Sequence, residues 1–286
     1  MNLNLRSSVL IIFTLSNLCF SKDSESFLLK SKYRLNEDQK YVMDMIMEFS
    51  IPGYGDIYFN FGAKISHRYL GEEKENGIYV MSWDEVIATV LVNDKTKPVD
   101  DLNDLDGEII TMTVSSDGEI LDRKGSSEYS EEVMEQGETY NDMFMGGGDN
   151  FFFPFATDTL QKPGDTWKFE YKKEHDSFPG TEDAEGWQKK ITEYTFKKVK
   201  KKKGNMVAYI KTKGTSYAEM YQDIWDREYR GIIEGNWEGD LQFDITRGVI
   251  IKSTIKAETI VTNINLENDE EEKFFQTMEM KMKWKK

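Results

Sequence analysis

Apolar and polar residues alternate along much of the chain. Tyr41, Met43, Met45, Met47 and Phe49 take every second position, with Asp44 and Glu48 on the opposite face. Leu241, Phe243 and Ile245 alternate with Asp240, Gln242 and Asp244. Val249, Ile251, Ile255 and Ala257 alternate with Lys252, Thr254, Lys256 and Glu258, and Met278, Met280, Met282 and Trp284 with Thr277, Glu279, Lys281 and Lys283. A period of two with one polar side predicts antiparallel strands that are wet on one face. Hairpins are expected at Asp117-Gly118, Gly204-Asn205 and Arg247-Gly248. Only 5 prolines interrupt the pattern, so few strands are broken by a missing donor. The fold class expected is all-β and mainly antiparallel.

Residues 126–145 read instead as one crossing helix. Tyr129, Val133, Tyr140 and Phe144 share a face, Ser127 is placed to cap, and Glu128, Glu131 and Glu132 fall in the first turns. Gly137 weakens it. An apolar loop, Met143 to Phe155, follows. The strand pattern also recurs. LNEDQKYVMDM from Leu35 resembles KPGDTWKFEY from Lys162, and DGEIITMTVSSDGEIL from Asp106 resembles EGDLQFDITRGVII from Glu238, at nearly equal offsets. Two readings stay open. Either the chain carries an internal duplication, with units 33–125 and 160–286 joined through the helix and apolar loop, or antiparallel hairpins simply resemble one another.

The N-terminus places Arg6 before an apolar run from Val9 to Phe20. The run is shorter than the ~20 residues a membrane-spanning helix needs, and no later stretch reaches that length. It matches the hydrophobic region of a secretory signal, residues 1–21 with cleavage after Ser21, leaving one domain over 22–286. An exported, periplasmic or extracellular protein is expected. Cys19, the only cysteine, admits lipid anchoring, although bulky Leu18 stands where a lipoprotein signal wants a small residue. Otherwise the mature chain has no cysteine and is held by its sheet and core alone. It also lacks an Asn-x-Ser/Thr glycosylation acceptor, which favours a bacterial envelope.

Three features together resemble a known pattern: the signal followed by YRLNEDQKY, the central FFFPFATDTLQKPGDTWKFEY, and the late GNWEGDLQFDITRGVIIKST. Pro154, Gly164, Asp165 and Trp167 are the most distinctive part, and Gly239 and Gly248 are generic. The chain is similar to an uncharacterised family of bacterial exported proteins related to the LolA/LppX-like lipoprotein-carrier fold. That resemblance implies a strongly curved sheet or incomplete barrel, whose concave apolar side is covered by a helix and holds lipid. The family has no assigned catalytic residues, so none is carried over.

Composition narrows the chemistry. With 52 acidic and 37 basic side chains the net charge is −15, which opposes nucleic-acid binding. His67 and His175 stand apart in polar surroundings and are expected at the surface, so no metal site is predicted. Asp100 to Glu108 approaches a calcium-loop pattern, but Leu102 and Thr113 would take its first and twelfth positions, so a solvated turn is expected. No nucleophile elbow or phosphate loop occurs, and no cofactor is predicted. Trp83, Trp167, Trp187, Trp225, Trp237 and Trp284 suit sheet packing or sugar stacking beside a carboxylate pair. The block Lys197 to Lys203 reads as a solvated hairpin tip or as a contact for anionic lipid heads.

Methionine is the most informative residue. Met43, Met45 and Met47 lie on one strand and Met278, Met280 and Met282 on another. Thioethers adapt to varied apolar partners, whereas a packing core favours residues with better-defined rotamers. A ligand site is therefore expected at these six, with Met143, Met145, Phe151, Phe152 and Phe153 at its mouth; ordinary core filling is the competing reading. The function expected is an exported non-enzymatic binding protein for lipid or another hydrophobic ligand. A cell-envelope module that binds a protein partner comes second, and a carboxylate-pair hydrolase third.

Overall fold

The computed structural model describes residues 25–29, 31–32, 34–53, 55–114, 120–127, 159–175, 185–224 and 227–285. The signal segment, the helix expected over 126–145 beyond Ser127, and the apolar loop lie outside them. Among the described residues fourteen strands follow in chain order: β1 (Phe27–Leu28), β2 (Asp38–Ile51), β3 (Gly55–Glu73), β4 (Asn76–Val92), β5 (Lys95–Pro98), β6 (Ile109–Val114), β7 (Ile120–Gly125), β8 (Leu160–Gln161), β9 (Thr166–His175), β10 (Glu185–Lys202), β11 (Asn205–Ile224), β12 (Arg227–Asp244), β13 (Val249–Asn265) and β14 (Glu271–Lys285). One helical turn, α1 (Asp100–Asn103), interrupts them.

All but β1 and β8 join one antiparallel sheet, ordered β7-β6-β4-β3-β2-β14-β13-β12-β11-β10-β9, with β5 on the edge of β4. The sheet stays open, because its two outer strands, β7 and β9, do not pair. Neighbours in space are almost always neighbours in sequence, except that β14 returns to β2 and so places both ends of the sheet segment at its centre. Register shifts at Phe196/Lys198, Gln242/Phe243, Gly62/Lys64 and Tyr69/Gly71 bend and twist the strands, giving one concave inner face.

The turns follow backbone chemistry more than composition. Lys203 and Gly204 both have positive φ and close β10 on β11 in two residues, one position before the turn expected at Gly204-Asn205. The pairs Lys74-Glu75 and Asn93-Asp94 do the same for β3–β4 and β4–β5. Lysine and glutamate give no turn signal, and the 19 residues of β3 against the 17 of β4 hold that turn by pairing rather than by propensity. The exposed tip Lys200 to Lys203 lies at the end of the expected lysine hairpin.

The core lies on the inner face. Phe196 and Phe243 are fully buried, and Ile210, Leu241, Ile65 and Met282 nearly so. One end of the face, the base, is crossed by the segment that precedes β2. Phe27 meets Phe196 edge-on at 6.1 Å, Leu29 is buried, and the Lys32 amide donates to the Gly248 carbonyl at 3.0 Å. A Cβ on Gly248 would overlap Lys32, and its positive φ fits the same turn, so this position requires glycine. Further on, the Asn36 amide donates to Tyr69 at 2.8 Å. The strap thus runs from β10 to β3 and closes the base.

Two expectations are corrected here. His67 is buried, at 2% exposure, with its ring stacked on Tyr79 at 5.1 Å. The polar residues beside it in sequence, Ser66 and Arg68, belong to the outer face, and burial pushes the His67 imidazole down to about 4. The segment 100–108 is more than a solvated turn, because it seals an edge. On the edge away from β3, between its pairings with β6 and β5, β4 has no strand partner over residues 83–88. Asn103 Oδ1 accepts the Ala88 amide at 2.7 Å, Asp106 Oδ1 accepts the Val86 amide at 3.3 Å, and the Gly107 amide donates to Trp83 at 2.8 Å. Leu105 is buried beneath. A strand edge must satisfy its backbone groups, and here two side chains do so.

Candidate functional site: the inner face of the sheet

Because β14 pairs β2, the two methionine strands lie side by side. Met282 is opposite Met43, Met280 opposite Met45, and Met278 opposite Met47, forming a three-rung ladder of thioethers on the inner face. Met43 and the β14 methionines are buried, while Met45 and Met47 are half-buried. The next strands extend each rung: Ala63, Phe61 and Phe59 on β3, and Ser253, Ile255 and Ala257 on β13. Phe61 packs edge-on to Trp83 at 5.9 Å. The paired thioethers sit at the middle of the sheet, four strands from β10. Met143, Met145, Phe151, Phe152 and Phe153, expected at the mouth, lie outside the described residues.

Toward the end opposite the strap, the rim, the inner face changes character. Lys190, Ser216, Gly235, Thr259, Gln276, Phe49 and Ile57 form one cross-strand row directly beyond the ladder. Lys190, Thr259 and Gln276 in that row are buried, as is Gln188 one step further out. Gln276 Nε2 donates to Met47 Sδ at 3.4 Å, tying the polar row to the ladder. One polar row thus crosses the inner face beyond the ladder, and outside it Ala218, Ile233, Met220 and Val261 form a second, smaller apolar cluster. The sequence reading missed these rim residues. The signal was nevertheless present, since Gln188 and Lys190 share strand parity with Thr192, Tyr194 and Phe196 and so point inward with them.

The tryptophans divide between faces. Trp83, Trp167, Trp237 and Trp284 pack against the core, with Trp167 stacked on Tyr194 at 5.5 Å and Arg247 over Trp284 at 4.9 Å. Trp187 is on the outer face beside Tyr217 at 5.2 Å, and Trp225 lies outside the described residues. That outer patch holds Glu219, whose carboxylate accepts from Tyr221 Oη at 2.7 Å and Arg230 Nε at 2.8 Å. Those two hydrogen bonds, the Tyr221 one foremost, hold the acid below its usual value.

A second concavity of about 500 Å³ opens on the outer face near the base, among Lys40, Lys64, Lys285, Asp84, Glu85 and Asp106. All three carboxylates are on exposed residues. Glu85 is paired with Lys64, and Asp106 is committed to the β4 edge. The arrangement is an ion-paired surface cleft.

No protein-family model matches the sequence, and no curated protein matches it. Solved structures similar to this chain include DynF of the dynemicin biosynthesis pathway of Micromonospora chersina, with TM-score 0.23 and 6% identity over 92% of this chain and 86% of that one. The hypothetical lipoprotein YmcC of Escherichia coli gives TM-score 0.24 and 10% identity over 96% of both chains. A LolA superfamily protein of Nitrosomonas europaea gives TM-score 0.19 and 7% identity over 89% of both. Scores this low carry no functional argument, and the reading below rests on the sheet itself.

Proposed function

We propose that the chain is an exported binding protein for lipid or another hydrophobic ligand, held on the inner face of the sheet. The observation that carries this reading is the three-rung methionine ladder. Six unbranched, polarizable side chains are paired rung by rung at the centre of the face, where a packing core would favour leucine, isoleucine and valine. Such a surface reshapes around differing chains without the strain that branched residues would incur. Binding would draw on the apolar area removed from water, on the order of 25 cal/mol per Å². The strap of Phe27 and Leu29 at the base supports the same reading, because a closed base gives an apolar chain an end to rest against.

The test is native mass spectrometry of gently purified protein, together with titration of the uncharged apolar dye Nile red. An apolar adduct, or saturable dye binding that weakens when Met45 and Met280 are both replaced by Asp, is the expected result. Protein that carries no adduct and takes up no dye would sink the proposal.

A further inference from the structure

The sheet ends on β9, and among the described residues no strand pairs its free edge. An antiparallel edge leaves the amide and carbonyl of every second residue facing outward, ready to pair with another strand. Proteins usually blunt such an edge with a bulge, a proline or charges that repel a second copy. In β9 the pairing with β10 runs from Thr166 to His175 without a register shift. The strand contains no proline, and the charges on its outer face alternate in sign: Lys168, Glu170, Lys172 and Glu174. In a chain of net charge −15 that face is balanced, so a second acidic body meets no net repulsion there.

The order of these four charges selects a partner. Laid antiparallel against a second copy of itself about Tyr171, the strand sets Lys168 opposite Glu174 of the second copy and Glu170 opposite its Lys172. The two-fold axis repeats both pairs, so every outer cross-strand pair joins opposite charges. A slip of two positions sets lysine against lysine or glutamate against glutamate. A slip of one sets the outer residues of one copy beside the inner residues of the other. The partners these side chains already have on β10 leave them accessible. Lys168 reaches Glu193 at 3.5 Å and Glu170 accepts from Lys189 at 2.6 Å, yet their side chains stay 65% and 58% exposed, and a carboxylate or an ammonium serves more than one partner. We propose that β9 is a self-pairing edge. Two copies join antiparallel through residues 167–175, with Tyr171 on the two-fold axis, and continue one sheet across the dimer. This interface goes beyond the hydrophobic-ligand reading and does not depend on it.

The test is sedimentation velocity of the purified chain over about 1–100 μM, where a monomer–dimer equilibrium is expected. Lys172→Glu and Glu170→Lys each turn both Glu170–Lys172 contacts of the dimer repulsive, and each should raise the dissociation constant about tenfold or more. Mixed in equal amounts, the two variants bring Glu against Lys again at both positions and should form a heterodimer about as tight as the wild-type dimer. Amide hydrogen exchange of the wild type decides even if a variant fails to fold, because exchange within 167–175 should slow as the concentration rises. Three results would each overturn the proposal: a wild-type chain that stays monomeric throughout, a dimer as strong in both variants as in the wild type, or a mixture no tighter than the variants alone. Nile red taken up by a monomeric chain would leave the hydrophobic-ligand reading standing, so the two proposals fail separately.

Discussion

Lowering the pH should weaken the fold through His67. Its imidazole is buried against Tyr79, and burial holds it at about 4 against an ordinary value of 6.5. The unfolded chain therefore takes up the proton first as pH falls. Above 6.5 the residue is neutral in both states and has no effect; between 6.5 and about 4 stability is lost at about 1.4 kcal/mol per pH unit. The whole window amounts to roughly 3 kcal/mol, a large fraction of the ~5–15 kcal/mol that holds a typical domain together. Urea unfolding at steps from pH 7 to pH 4 measures it, comparing the wild type with His67→Phe, which keeps an aromatic ring against Tyr79. The other titrating groups are common to both proteins, so the difference between the two stabilities isolates the histidine. That difference should shift in favour of the variant by about 2 kcal/mol between pH 6.5 and pH 5. Parallel pH profiles would refute the reasoning.

Other substitutions probe the sheet. Asn103→Ala strips the Ala88 amide of its acceptor at the β4 edge and should cost about 1–3 kcal/mol in chemical denaturation, whereas Asn268→Ala, in the exposed β13–β14 turn, should cost little. Gly214→Ala puts a Cβ into the Trp237 indole and 2.5 Å from the Ile191 carbonyl oxygen; a loss of about 1–3 kcal/mol is expected, with a changed tryptophan emission spectrum. Ser253→Ala removes a fully buried hydroxyl that has no partner, and should stabilise the protein by about 1 kcal/mol; a fall in the denaturation midpoint would contradict that.

Strand identity was readable because alternation is a local property. The sets around Met43 and Met280 lie in strands with the expected residues turned inward, and so do Leu241 and Phe243, whereas Ile245 falls in the turn after β12 and Asp244, expected on the wet face, is buried. Along β13 the register shift at Gln242/Phe243 broke the count, so Ile250 is buried near the turn in place of Ile251. Strand order was not readable. Nothing in the Met43 or Met280 segments says that a strand near the start of the sheet meets the last one, yet that single pairing creates the ladder. His67 was misplaced because flanking residues were weighed in place of parity; Ile65 and Tyr79 pack on the same face. The inward direction of Lys190 and Gln188 was masked for a related reason. Charged and amide residues read as solvent-facing unless their place in the alternation is given more weight than their type.

The claim that the methionine ladder is a ligand surface is tested most directly by methyl NMR of protein labelled with ¹³C at the methionine Cε, titrated with palmitic acid. Saturable shifts are predicted at Met45, Met47, Met278 and Met280, while Met206, beside the β10–β11 turn at the base, keeps its position. Ladder signals unmoved by excess palmitic acid, or shifts spread evenly over all the described methionines, would contradict it.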